Sequence, residues 1–240
     1  MKQTTKKRTK VVTCVFILTF LFSAVIKIRA NDPQAQLDAA LNSMSTEQAT
    51  ANIVVTEQAS GHILILKPNC DWNNPESIVW AWEPEKSPEI AAEHRGWFHN
   101  FSDAKPVHGT DQLLTVASGG GVALVNLSDS KVLFYVLAGG NTHSAALLPD
   151  GNLATASSTG NYLRLFIMPE TFLGPDSVPF IEYPFTDAHG LVWDNIHQIL
   201  WALGGKELKG FTYTGTKEKP ALEQVYETNL PEDLISGHDL

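Results

Sequence analysis

From residue 52 onward, apolar residues come in short runs separated by Gly, Pro, Asn, Asp and Ser. Runs of this kind, bounded by turn formers and rich in β-branched residues, predict strands rather than helices. The stretch His143–Ser158 shows the plan. Ala145, Leu147 and Leu148 precede Asp150-Gly151, and Leu153 and Thr155 follow it. Asp-Gly predicts a two-residue hairpin turn with positive φ at both turn residues. The plan returns in Ala188–Gly205, where His189 opens an apolar strand, Asp194-Asn195 turns, and a second apolar strand ends in small residues. Ser102–Gly120 is a third copy, with Asp103 near the position of the histidine. Gly237-His238-Asp239-Leu240 has the pattern of a further opening. His143, His189 and His238 stand 46 and 49 residues apart. Short strands repeated at that period predict an all-β propeller with one blade per repeat.

Taken in order, 52–67 predicts a hairpin and 77–82 a third strand, with Trp80 and Trp82 on one face by the two-residue period. The run 87–94 predicts one helical turn. The second unit has strands near 105–108, 113–117, 122–127 and 132–136. The third has 143–148, 153–156, 162–168 and 180–183, and the fourth 189–193, 199–203, 207–213 and 222–226. This amounts to about four four-stranded blades and the first residues of a fifth. An open array leaves sheet edges and blade faces uncovered. The chain is therefore expected to be a shortened form of a longer protein, its ring incomplete.

The N-terminus changes the picture. Residues 1–30 carry seven Lys/Arg and no acid, and 11–26 is an uncharged, mostly apolar run. A basic end before a short apolar core predicts an export signal, 1–30. Cleavage after Ala30 gives a secreted protein. Retention of 11–26 gives an anchor, the chain's sole expected tie to a membrane. Leu37, Leu41 and Met44 share a helical face within a polar stretch, 31–51, read as a linker. The propeller domain is then 52–240. Residues 31–240 hold 10 basic and 26 acidic side chains, a net charge of −16. That field repels nucleic acid and is compatible with cationic ligands or metal ions. With the signal removed, Cys70 is the sole cysteine, so no internal disulfide forms, and it is expected to be buried.

A set of segments extends the picture: Asp71-Trp72-Asn73-Asn74-Pro75, Val79-Trp80-Ala81-Trp82, Ala117-Ser118-Gly119-Gly120, Gly140-Asn141-Thr142-His143-Ser144, Ala188-His189-Gly190, Leu200-Trp201-Ala202-Leu203-Gly204 and Gly237-His238-Asp239-Leu240. Together they resemble a family of secreted, propeller-forming proteins that carries a domain-of-unknown-function label. The resemblance spans about 52–240. It implies a propeller and export, with further strands beyond Gly-His-Asp-Leu, and implies no activity. Likeness to WD-type propellers is architectural, since Trp193-Asp194 here sits at a turn after the first strand rather than at a blade's end.

Candidate chemistry centres on His143, His189 and His238. Each opens the innermost strand of its unit, and those openings converge on a propeller's central channel. Three imidazoles there are suited to bind a ligand or hold a divalent metal at about 2.0–2.1 Å. Asp103 is the candidate for an added oxygen, and Asp187 and Asp239 for orienting a ring from behind. The competing reading makes each histidine a hydrogen-bond node to a turn residue. Trp72 and Trp97, in loops, are candidate sugar-stacking platforms, whereas Trp80, Trp82 and Trp201 are expected between blades. No nucleophile elbow, His-Glu-x-x-His or Cys pair is present. The expected function is an exported binding module for a glycan or small ligand at the channel mouth. The alternative is a metal-assisted carbohydrate-active lyase or hydrolase with the three histidines as ligands. An inactive fragment is the third reading.

Overall fold

The computed structural model describes residues 51–107, 109–233 and 236–240. The chain divides into two units, Met1–Ala51 and Asn52–Leu240. The expected signal, the linker and His108 lie outside the described residues. Among the described residues, no helix is long and apolar enough to cross a membrane.

The second unit is a succession of antiparallel meanders. Strands β1 (Ile53–Glu57), β2 (His62–Leu66) and β3 (Ile78–Trp82) form a three-stranded sheet. Three four-stranded sheets follow. The first is β4 (Phe101–Pro106), β5 (Gln112–Ala117), β6 (Gly121–Asn126) and β7 (Val132–Leu137). The next is β8 (Thr142–Leu147), β9 (Leu153–Ser157), β10 (Tyr162–Phe166) and β11 (Phe180–Pro184). The last is β12 (Ala188–Asp194), β13 (Ile199–Gly204), β14 (Glu207–Thr216) and β15 (Lys219–Asn229). Each sheet is paired in chain order, as in a β-propeller blade. The first sheet has the three strands expected from the hairpin at 52–67 and the third strand at 77–82. The helical turn expected at 87–94 is replaced by 3-10 segments at Pro84–Lys86 and Ala92–Phe98.

The strands are apolar on both faces because each face meets a different neighbour. On β5, Leu113 and Ala117 pack toward the first sheet with Ile63, Trp82, Phe98 and Phe101. Leu114 and Val116, one residue out of phase, pack toward the third sheet with Ala145, Leu153 and Phe166. The strand period of two thus divides one run between two cores. A third core joins Ala154, Ala156, Leu163 and Leu165 to Leu191, Leu200, Ala202 and Phe211. Trp82 is buried between sheets as expected, edge-on to Phe98 at 6.1 Å.

Turn chemistry departs from expectation at Asp150-Gly151. Gly151 alone has positive φ, +89°, and its N–H donates to Leu148 O at 2.9 Å. Leu148-Pro149-Asp150-Gly151 is a four-residue turn with Pro second and Gly fourth, the order a type I turn prefers. A second bond, from Leu148 N to Asn152 O, closes the longer loop. Pro149, with its φ fixed near −65°, selects this turn over the two-residue one.

Candidate functional site

Three inner strands enter the fold in the same way. Asn100, Asn141 and Asp187 each have left-handed backbone, φ 54°, 57° and 51°. Asn and Asp tolerate that region better than other side chains. The carbonyls of these residues accept from Ser118 N, Ser158 N and Gly205 N at 2.8, 3.1 and 3.2 Å. Small residues are required opposite. A Cβ on Gly205 would sit 2.2 Å from Asp187 Oδ2. Two residues after each turn, the ladder skips a residue: register shifts fall between Phe101 and Asp103, Thr142 and Ser144, and Ala188 and Gly190. The skipped residues are Ser102, His143 and His189. A bulge takes its residue out of the ladder and re-aims the side chain. The register therefore puts Ser102, not Asp103, at the position equivalent to the histidines. The Ser102 hydroxyl donates to Thr142 O at 2.8 Å, beside His143.

The structure brings His143, His189 and His238 together. One nitrogen from each lies within 4.8 Å of the others. Ring centroids are 4.4 Å apart for His143–His189, 4.6 Å for His189–His238 and 5.1 Å for His143–His238. His143 and His189 are half-buried and His238 is exposed, so the cluster is open on one side. His238 reaches it through Gly237, whose N–H donates to Gly205 O at 3.2 Å, while Leu240 lies against Gly190. A Cβ on Gly237 would meet Gly204 O at 2.5 Å, so the segment needs glycine to come this close.

Each of the two strand histidines is also a node. His189 Nδ1 lies 2.9 Å from Asp187 O and 3.5 Å from its Oδ1. A carbonyl only accepts, so Nδ1 carries the proton and Nε2 keeps its lone pair. His143 Nε2 is 3.0 Å from the Asn141 amide, which also contacts Ser158 Oγ at 3.0 Å. His238 makes no hydrogen bond among the described residues. Burial, then the neighbouring His189 and His238, push His143 down to about 4, with Asp187 opposing. The ring is neutral at pH 7, the form that ligates metals and accepts hydrogen bonds.

Asp103 belongs to a different network. Its Oδ2 accepts from Ser144 Oγ at 2.8 Å and pairs with Lys105 Nζ at 2.9 Å. Lys105 Nζ also donates to Ser144 Oγ at 2.8 Å and Leu191 O at 2.6 Å, tying β4 to β8 and β12. Lys105 carried no signal in the sequence, because a lone lysine on a strand looks like a solvated residue. Asn141 was missed for a similar reason, although its place two residues before His143 matches that of Asp187 before His189. Asp239 adjoins His238, and its Oδ1 accepts from Leu240 N at 2.8 Å.

The remaining candidates scatter. Trp97 stacks on His94 at 3.9 Å and packs against the first core, so it is not an open sugar platform. Trp72 is 53% exposed, with Nε1 donating to Lys67 O. Cys70, expected to be buried, is exposed, its Sγ 3.2 Å from Lys67 O. It lies in a turn cluster outside the sheets, where no core is available to cover it.

Residues 10–240 match the family of unknown function DUF6528, and the chain belongs to that family. No curated protein matches it. Among solved structures, it is similar to a catalytically inactive virginiamycin B lyase from Staphylococcus aureus with quinupristin, at 13% identity and TM-score 0.49, over 80% of this chain and 56% of that one. A functionally unknown protein from Desulfotomaculum acetoxidans matches at 12% and 0.45, over 76% and 59%. Dihydro-heme d1 dehydrogenase NirN in complex with DHE matches at 17% and 0.49, over 72% and 35%. The chain thus spans less than two thirds of the length of each of these proteins.

Proposed function

We propose that this chain is an exported propeller module that binds a glycan or other small oxygen-rich ligand at the mouth formed by its inner strands. The observation that carries this reading is the convergence of His143, His189 and His238 from three successive repeats onto one open point. Convergent polar groups, here two on strands and one on the segment after the last strand, are what a ligand site needs. Bulges aim two of the rings, and each bulge costs ladder hydrogen bonds that a purely structural strand would keep. Imidazole nitrogens left over after the Asn141 and Asp187 contacts suit hydroxyl and carboxylate oxygens. Export is proposed from the sequence of 1–30 and is checked by N-terminal sequencing of the mature protein, with Asn31 expected as its first residue.

The test is a panel of neutral, amino and uronic oligosaccharides screened by calorimetry against wild type and His189→Gln. At least one class should bind, and the variant should weaken it tenfold or more. A panel that binds nowhere, or binds equally to the variant, contradicts the reading. Product release from a bound saccharide in the same screen would convert the binding module into the carbohydrate-active enzyme.

A further inference from the structure

We propose that His143, His189 and His238 hold a divalent late first-row metal ion, zinc or a metal of similar ligand preference. The inference deepens the ligand-binding reading by naming the cofactor of the same mouth. Three observations converge on it. First, the ring positions are close to a metal shell without being locked in one. Three nitrogens around a tetrahedral ion stand about 3.3 Å apart, given bonds of about 2.0–2.1 Å. Here they lie within 4.8 Å, and His238 sits on an exposed segment where a small ring rotation closes the difference.

Second, each strand histidine has one nitrogen fixed from behind and one to spare. Asp187 O fixes the tautomer of His189 and leaves Nε2 as ligand. Asn141 Nδ2 lies 3.0 Å from His143 Nε2 and holds that side of the ring, while His143 Nδ1 makes no hydrogen bond among the described residues. Ligating histidines commonly donate their other N–H to a carbonyl or carboxylate, as His189 does to Asp187 O. Third, the three rings face one another without a hydrogen bond between them. Ring nitrogens gathered at one point with no hydrogen bond among them gain from a cation. The adjacent Asp187 and Asp239, and the net charge of −16 over residues 31–240, favour one.

Imidazole-only donors select zinc, cobalt, nickel or copper over calcium and magnesium, which prefer oxygen. Three protein ligands leave one position open, the arrangement that takes a hydroxyl or carboxylate oxygen from a bound molecule.

The test is titration of the tag-free full chain with Co(II), read by the visible d–d bands of a tetrahedral nitrogen site and by displacement with Zn(II). One equivalent should bind, and His238→Ala should weaken binding at least tenfold. His238 lies outside the sheets, so the variant keeps the fold. His189→Gln should act alike. No stoichiometric band, or binding equal in His238→Ala and His189→Gln, overturns the proposal as adventitious binding at surface histidines. Repeating the oligosaccharide screen after chelation separates the two readings. Saccharide binding with no stoichiometric Co(II) band overturns the metal and leaves the ligand site standing. A bound metal with no saccharide partner does the reverse.

Discussion

At the scale of the residue, the site is built from local backbone exceptions. An Asx residue in left-handed conformation, one residue of spacing, then a bulged side chain recurs in Asn100-Phe101-Ser102, Asn141-Thr142-His143 and Asp187-Ala188-His189. The histidines could be picked out from the sequence because they recur at a fixed period. The bulge could not, because a one-residue register slip leaves no mark in composition, and so Asp103 stood in for Ser102. His143 offers a direct check. Its folded value near 4 lies below the ordinary 6.5, so the unfolded chain takes the proton first. The contribution to stability is therefore full above pH 6.5 and is lost as pH falls from 6.5 through 4. Urea midpoints of wild type should drop more across that window than those of His143→Gln. Equal drops would contradict the burial and His–His repulsion assigned to the ring.

At the scale of the element, small residues let the turns at one end of a sheet pack closely. Gly140 has φ +62°, and a Cβ there would lie 2.6 Å from Tyr162 Oη and 2.9 Å from Gly160 Cα. Gly151 has φ +89° but open space around it. Gly140→Ala should therefore cost about 2–4 kcal/mol, strain and overpacking together, and Gly151→Ala about 1 kcal/mol from conformation alone. Thermal melts of the two variants check the ordering. Lys105 is the matching polar device. Removing its ammonium leaves Asp103 and Leu191 O short of a donor, so Lys105→Ala should cost about 1–3 kcal/mol. Most strands could be placed from apolar runs and turn residues to within a few residues. The first strand of the second unit could not, since Phe101–Pro106 is largely polar, and its apolar marker, Phe101, sits at the very start.

At the scale of the whole molecule, the repeat period foretold the propeller, because each blade needs apolar residues on both faces and a tight turn at each end. The three-stranded first sheet was legible too, since the hairpin over 52–67 and the strand over 77–82 match β1, β2 and β3. The −16 charge of residues 31–240 predicts weak interaction with polyanions. Duplex DNA should not bind even at low salt, where phosphate contacts are strongest, and a gel-shift at 50 mM salt or below checks this.

The most direct measurement is a crystal of the tag-free chain grown with Zn(II) and recorded on both sides of the zinc absorption edge. An anomalous peak is expected between the rings of His143, His189 and His238, with Asp187 O behind His189. Peaks confined to isolated surface histidines such as His197, or none at all, would contradict it.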